Sequence, residues 1–178
     1  VWAAEGSRIG GNNIGLVPAC DAELEALGTS RDQVQSFDSD SLWNYEAGIK
    51  STLADQRVTL NAAVFHAVWS DIQTSVLLDC GLGFVGNAGE AESTGFEVEM
   101  NAQVTNNLTL GVNLGYNKAE ITKAGEATGQ SKGDPLYQVP EWTFSSNIEY
   151  RDSAFADYEW VARADFSYVD ESFSVNNA

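Results

Sequence analysis

Two consecutive runs decide the fold: Thr94-Gly-Phe-Glu-Val-Glu-Met-Asn-Ala-Gln-Val104 and, after three residues, Leu108-Thr-Leu-Gly-Val-Asn-Leu-Gly-Tyr116. Apolar side chains occupy every second position, and residues such as Glu97, Glu99 and Asn113 lie between them. This period of two predicts β-strands with one apolar and one polar face. The turn between the runs is short enough to pair them as antiparallel neighbours.

The same alternation continues in four further segments, at 43–53, 58–68, 142–150 and 158–168. No position in the apolar phase of the six segments holds Asp, Glu, Lys or Arg, although 20% of the chain is charged. The runs last about 9 to 12 residues, whereas strands of soluble domains average about 5 to 6. A tilted strand that crosses a bilayer needs the longer length. We therefore predict an all-β chain of antiparallel transmembrane strands.

The connections between these segments alternate in length. Those at 54–56, 105–107 and 151–157 are short, whereas those at 73–89 and 119–138 are long. A further long loop runs from Gly10 to Asp40 and contains a short predicted helix from Pro18 to Leu27. Val1 to Ile9 reads as the end of one more strand, which makes about seven. Short periplasmic turns and long extracellular loops are typical of outer-membrane barrels.

Aromatic side chains concentrate near the ends of the apolar stripes. Such rings sit at the interfaces between lipid and water, where one part is apolar and another is wet. The predicted girdle residues are Trp43, Tyr45, Tyr116, Trp142, Phe166 and Tyr168 at one rim and Tyr150, Tyr158 and Trp160 at the other.

The composition excludes several classes of protein. The chain has 178 residues, 26 acidic and 9 basic, with a formal net charge of −17. Nucleic acid is excluded as a partner, because affinity for phosphates comes from Lys and Arg. The hydrophobic content of 43% is too high for a disordered chain. No apolar run reaches the roughly 18 residues of a membrane-spanning helix.

The sequence predicts no catalytic residue, no metal site and no cofactor. The single histidine, His66, lies in the apolar phase near a rim, where interfacial packing is expected. No Gly-x-Ser-x-Gly motif suggests a hydrolase. Glu97 and Glu99 share a strand face, as do Arg163 and Asp165, and we expect each pair to line a wet lumen rather than to work as acid and base.

Two loop motifs have a functional and a structural interpretation. Gly81-Leu-Gly-Phe-Val-Gly86 has the spacing of a dinucleotide-binding turn, but no helix follows it, so we predict a flexible loop. Asp38 and Asp40 offer carboxylates to a calcium ion, but no recognisable ligand series surrounds them. We therefore predict that these carboxylates are solvated.

The stretch Ser41-Leu-Trp-Asn-Tyr-Glu-Ala-Gly-Ile-Lys-Ser51 resembles the carboxy-terminal barrel of TonB-dependent outer-membrane receptors, whose strands often carry a Tyr-Glu-x-Gly-x-Lys-Ser pattern. Successive segments resemble later strands of that family in order: Leu60–Phe65 with Trp69–Gln73, Asn87–Gly89 through Gly95–Glu99, Gly115–Ala119 and Val139–Pro140. The resemblance implies a barrel of about 22 strands. Residues 1–178 would then be part of that barrel domain, without the plug and the terminal strand.

The resemblance also implies a function and partners. The expected function is a fragment of a bacterial outer-membrane receptor that actively imports a ferric siderophore or another large, scarce nutrient. The implied partners are outer-membrane lipid, an N-terminal plug of the same polypeptide, the TonB energy-transducing complex acting through that plug, and the ligand. One alternative is a passive porin-like or adhesive barrel, and another is a secreted soluble all-β binding module whose apolar stripe is a core.

Seven further residues complete the sequence-based predictions. Cys20 and Cys80 lie in long loops on the same side, in an oxidising compartment, which favours a disulfide over two independent thiols. Such a bond closes about 60 residues, for which the loop-entropy estimate is about 4 kcal/mol. The candidate ligand contacts lie in the loops and at the top of the polar stripe: Trp69, Phe84, Asn87, Tyr137 and Gln138.

Overall fold

The computed structural model describes residues 1–87, 89–124, 131–154 and 158–172. Its strands are β1 Trp2–Arg8, β2 Gly11–Asn12, β3 Ser36–Phe37, β4 Asp40–Leu53, β5 Val58–Ser70, β6 Gln73–Leu77, β7 Gly83–Asn87, β8 Gly89–Gln103, β9 Leu108–Ala124, β10 Trp142–Ala154 and β11 Tyr158–Val169. A 3-10 helix, Pro18–Cys20, leads into the short helix α1, Asp21–Ala26. None of the helices in the described ranges has the length and apolarity to cross a bilayer.

Seven strands form one antiparallel sheet in the order β1-β4-β5-β8-β9-β10-β11. The prediction of about seven antiparallel strands is confirmed, including β1 in the first nine residues. The order follows the chain because each long strand pairs with the next long strand. Within the described residues, β1 and β11 each pair with one neighbour in this sheet, so the sheet is open.

The strand register aligns the apolar phases of neighbouring strands. Val98 lies opposite Leu114, which lies opposite Phe144, which in turn lies opposite Tyr168. Because side chains alternate along a strand, such rows place the apolar residues on one surface of the sheet. We call this surface the outer face and the opposite, polar surface the inner face.

The outer face remains uncovered. Ile49 is 60% exposed, Val64 57% and Phe166 58%. Soluble proteins rarely expose so large a continuous apolar surface. Charged residues on this face lie near its ends, level with or beyond the aromatic residues. Glu5 is opposite Trp43 and Asp152 is opposite Trp160. Lys118 Nζ lies 2.7 Å from Glu120 Oε2. A bounded apolar band of this kind is the lipid-facing pattern of a transmembrane barrel.

The inner face lines a concave groove of about 740 Å³. One row across it contains Lys50, Asn61, Glu99, Asn113 and Ser145. The Asn61 amide donates to Glu99 Oε2 at 3.1 Å, and the Asn113 amide donates to Ser145 Oγ at 3.0 Å. This ladder of polar groups is suited to water or to a polar protein surface.

The buried core lies at the loop end of the sheet. The main cluster consists of Cys20, Leu24, Val34, Leu78 and Phe84, and Leu27 packs against it. The short helix predicted from Pro18 to Leu27 is therefore confirmed, and it brings Cys20, Leu24 and Leu27 to this cluster. We call residues 9–39 and 71–87 the cap, because they fold together above β1, β4, β5 and β8.

Three sequence-based boundaries were wrong. The Gly81–Gly86 segment is not a flexible loop, because Gly83–Asn87 is a strand that pairs with β6. The long loop predicted from Ala119 begins later, since β9 continues to Ala124 through pairing with β8. The turn predicted from Arg151 also begins later, since β10 continues to Ala154. The rest of that turn, at 155–157, lies outside the described residues.

Candidate functional site

The cap joins two loops that are far apart in the sequence. Cys20 and Cys80 form a disulfide with a Cα–Cα distance of 5.4 Å and a sequence separation of 60. Beside the bond, the backbone N–H of Asp79 donates to Glu23 Oε2 at 2.8 Å. Phe84 from the second loop is 5% exposed and packs in the same cluster as Leu24 from the first. The two loops therefore share one core.

Two asparagines hold the loops together with their side-chain amides. Asn13 donates to the carbonyls of Val34 and Val85 at 2.8 and 2.7 Å and accepts from the N–H of Val85 at 2.8 Å. Asn87 accepts from the N–H of Asp38 at 2.7 Å and donates to the carbonyls of Asp38 and Asp71 at 3.1 and 2.8 Å. These bonds take the place of a regular sheet between the loops.

Asp40 is the centre of a polar cluster at the base of the cap. It is 3% exposed and forms an ion pair with Arg8, whose Nε donates to Asp40 Oδ2 at 2.8 Å. Trp69 Nε1 donates to the same oxygen at 3.1 Å, and the Gln73 N–H donates at 3.4 Å. The Arg8 guanidinium also lies 5.1 Å from the centre of the Trp69 ring.

This environment keeps Asp40 ionised. Asp40 lies at the loop end of β4, beyond the girdle residue Trp43 and so outside the apolar band. The hydrogen bond from Arg8 lowers the pKa of Asp40 to about 2, with smaller contributions from Trp69 and the backbone of Gln73, against the opposing effect of burial. The prediction that this carboxylate is solvated was wrong, because donors from three chain segments surround it.

A second apolar cluster lies at the loop end on the inner side. Ile72, Ala91 and Ile121 are buried, and Trp69 and Leu136 pack against them. Leu136 comes from a segment that folds back along β9, where its N–H donates to the carbonyl of Ala119 at 3.0 Å. The segment therefore brings the residues after Leu136 to the same end of the sheet as Trp69.

The structure separates the five predicted ligand contacts into two groups. Phe84 and Asn87 belong to the cap, where the ring is buried and the amide is engaged in the bonds described above. Trp69 lies below the cap, near the segment that holds Tyr137 and Gln138. Tyr137 is 41% exposed, and Gln138 has a φ of 63°, which marks a sharp turn beside it. Their contact with a ligand stays a prediction.

The predicted girdle residues form contacts along the outer face. The closest ring centroids are those of Tyr116 and Trp142, at 4.7 Å, and Tyr150 and Trp160 follow at 5.3 Å. The exposed fraction lies between 39% and 78% for seven of these residues: Trp43 and Trp142 39%, Trp160 45%, Tyr45 46%, Tyr168 49%, Phe166 58% and Tyr158 78%.

The girdle pattern includes His66 at the rim. Its ring stacks at 6.4 Å from Tyr45, and its Nδ1 lies 2.8 Å from Thr94 Oγ1.

No group of three or more His, Cys, Asp or Glu side chains within the described ranges is arranged to hold a metal ion.

Sequence reasoning missed Arg8 and Asn13. Both are ordinary polar residues near the N-terminus, 32 and 72 positions away from Asp40 and Val85 respectively. One signal could have placed Arg8 on the inner face. On β1 it lies in the same alternation phase as Trp2, which is opposite the inner-face residue Glu46.

Comparison with known proteins identifies the family of this sheet. Residues 23–178 match the family described as "TonB dependent receptor-like, beta-barrel". The chain belongs to the TonB-dependent receptor family. This is a family of transport receptors, and the open seven-stranded sheet is a segment of its barrel. The resemblance seen in the sequence and the predicted all-β barrel fold are thereby confirmed.

Individual TonB-dependent receptors show how much of such a protein is present. The chain is 30% identical over 128 residues to the metal-pseudopaline receptor CntO of Pseudomonas aeruginosa, covering 72% of this chain and 17% of that receptor. It is 28% identical over 115 residues to the probable TonB-dependent siderophore receptor PiuA of Acinetobacter baumannii, covering 60% and 15%. The chain thus spans under a fifth of these relatives.

A solved structure shows the same fold. The ferric yersiniabactin uptake receptor FyuA from Yersinia pestis superimposes with a TM-score of 0.65 and 24% identity, covering 94% of this chain and 22% of that one. The similarity therefore extends through the cap as well as the barrel strands.

Proposed function

We propose that this chain is part of the barrel wall of a bacterial outer-membrane receptor that imports a metal–siderophore complex, or another nutrient too large for passive pores. The observation that carries the proposal is the two-faced sheet. Its outer face is apolar, uncovered and bordered by aromatic rings, and its inner face is a polar groove, so the sheet separates lipid from an aqueous interior.

The proposed ligand class comes from the relatives. The two receptors named above are described by metal-pseudopaline and by siderophores. For this chain, which shares about 30% identity with them, we propose a cargo of the same class: a metal bound by a siderophore-like molecule. The loop end offers a surface for it, because Trp69 and Tyr137 lie there together with the cap.

The proposed partners follow from the family. A plug from the same polypeptide would occupy the inner groove, where the row from Lys50 to Ser145 offers both donors and acceptors. Energy would reach the plug from the TonB complex. The extracellular loops would carry the ligand site, and the short turns at 54–57 and 104–107 would face the periplasm.

Uptake by the full-length receptor tests the proposal. The complete reading frame is expressed in a host that lacks its own siderophore receptors, and radioactive iron, copper, nickel and zinc are supplied as siderophore complexes. We expect accumulation of at least one complex that disappears when TonB is deleted. Accumulation that persists without TonB indicates a passive porin-like barrel instead, and a full-length protein that stays monomeric in water without detergent contradicts the membrane assignment.

The ligand contacts are tested in the same cells. Tyr137→Ala and Trp69→Phe are expected to weaken binding of the transported complex. Leu77→Ala, at an exposed cap position, is the matched control. If the control weakens binding as much as Tyr137→Ala, the ligand surface lies on the cap itself.

A further inference from the structure

The chain passes between the barrel wall and the cap at four points, and one residue joins three of them. They are the end of β1, the start of β4, the end of β5 and the start of β8. The Gln73 side chain, from the segment after β5, donates to the carbonyl of Ile9 at 3.0 Å and to that of Asp38 at 3.0 Å. The segments after β1, before β4 and after β5 are therefore bonded to one another.

The fourth point is tied by Asn87. It lies two residues before Gly89, where β8 begins, and bonds to Asp38 and Asp71, which belong to the second and third points. The N–H of Ile72 also donates to the carbonyl of Gly89 at 3.2 Å. Each of the four points where the chain passes between wall and cap is therefore hydrogen-bonded to at least one other of these points.

Asp40 adds a buried charge to these hydrogen bonds. Asp40 joins the β1 end to the start of β4 through Arg8 and the end of β5 through Trp69. Breaking this cluster exposes a carboxylate whose partners come from different strands, and a hydrogen bond to a charged group is stronger than a neutral one. Above the base, the disulfide and the shared core hold the two loops to each other. Within the described residues, the crossings between cap and wall thus show no weakly bonded segment of the kind that the hinge of a moving lid needs.

We propose that the cap is one rigid body fixed to the barrel wall, so that it forms a permanent part of the receptor mouth and does not open as a lid. The inference rests on the proposed function only in calling the loop end a mouth. A preformed wall lowers the ordering cost of binding at that surface. Any movement at the mouth is therefore assigned to chain segments outside the cap.

Distances between spin labels in the full-length receptor, purified in detergent micelles, test this inference. Labels are placed on cysteines introduced at Glu25 and Leu77, one on each loop of the cap, and at Asn106 in the turn at the opposite end of the sheet. Cysteines elsewhere in the full-length protein are replaced by serine, and the cap disulfide is left intact. We expect a single narrow distance peak for all three pairs of labels. A second population, or a broad distribution, in either cap-to-turn pair overturns the proposal.

Variants then distinguish the contacts that fix the cap to the wall from the disulfide that joins its two loops. Asp40→Asn is expected to broaden both cap-to-turn peaks while the Glu25–Leu77 peak stays narrow, because Asp40 belongs to β4 and accepts from the N–H of Gln73 in the cap, whereas the bonds inside the cap are unchanged. Replacement of both disulfide cysteines by serine is expected to broaden the Glu25–Leu77 peak. Asn113→Ala, which removes a single inner-face hydrogen bond, is the matched control.

The outcomes are distinguishable from those of the uptake assay. If Asp40→Asn leaves the cap-to-turn distances as narrow as the control does, the base does not fix the cap and the proposal is wrong. Arg8→Gln, which removes the partner of Asp40 and a contact to the carbonyl of Gln73, provides a second base variant if Asp40→Asn does not assemble. A receptor that transports nothing but shows narrow distances contradicts the proposed function and leaves the rigid cap standing.

Discussion

Replacing Asp40 by Asn tests the base of the cap most directly. The amide keeps the size of the carboxylate and its ability to accept from Trp69 and Gln73, but it removes the charge that pairs with Arg8. The expected result is a cap base that opens more often, while the barrel strands below it stay unchanged.

The magnitude follows from the pKa of Asp40. Lowering it from 3.8 to about 2 corresponds to about 2.4 kcal/mol, since one unit of pKa is about 1.4 kcal/mol. The Arg8 side chain is 51% exposed, so solvent screens part of the interaction. We therefore expect the variant to lose about 1 to 2 kcal/mol of local stability, which raises the opening equilibrium roughly 5- to 30-fold.

Hydrogen exchange of the full-length receptor in detergent measures this change. Peptides that contain Arg8 and Gln73 are expected to exchange about 5 to 30 times faster in the variant at neutral pH. Peptides from the inner-face row around Asn113 serve as an internal control. Equal exchange in variant and unmodified receptor refutes the reasoning, because the buried charge would then contribute nothing to the base.

The pH dependence has a defined sign. Because the pKa of Asp40 is lower in the folded protein than in the unfolded chain, its contribution is complete above pH 3.8 and is lost as the pH falls through about 2. The unmodified receptor should therefore be more stable than Asp40→Asn at neutral pH and should approach it at about pH 2. A gap between the two melting temperatures that persists at that pH contradicts the assignment.

Three further predictions concern the cap, the outer face and the sheet. A non-reducing digest of envelope-derived receptor should yield the two cap cysteine peptides linked, and mass spectrometry that finds two free thiols contradicts the bond. In vesicles whose brominated lipid quenches tryptophan fluorescence, Trp142→Phe should reduce the quenched part of the signal more than Trp69→Phe does. The reverse order would mean that the aromatic face does not face the lipid. Gly95→Ala should cost about 1 to 3 kcal/mol or reduce assembly, because the new Cβ clashes with the carbonyl oxygen of Tyr116 and meets the Phe65 ring at 2.5 Å, whereas Gly6→Ala, with open space around it, should be neutral.

The strands and their two faces were predictable because their signal is local. In the run from Thr94 to Val104, the position of each residue in the two-residue alternation indicates the face on which its side chain lies, and the neighbouring strands repeat the pattern. The register could also be anticipated where the turn is tight, as between β8 and β9. The cysteine pairing followed from the same reasoning, since both residues fall in loops on one side of the sheet.

The base of the cap was not predictable, because its contacts join distant positions. The charge of Asp40 looked like one of many in an acidic loop, and only the register of β1 against β4 brings Arg8 next to it. The β7 strand was hidden for a different reason. Its glycines at 83 and 86 weaken the strand signal, and the amide of Asn13, 72 residues away from Val85, supports it in the fold.

The position of the cap disulfide constrains how the receptor is assembled. Cys20 precedes the β4–β5 hairpin and Cys80 follows it, so the bond encloses two complete membrane strands in a covalent ring. If oxidation occurs in the periplasm before insertion, a tied and compact bundle of two loops must be carried through the lipid as the hairpin is threaded. If it occurs afterwards, the two loops cross the membrane as separate segments that are not yet linked to each other. The order of oxidation and insertion therefore determines whether the largest unit that crosses the membrane is a single loop or the two linked loops together.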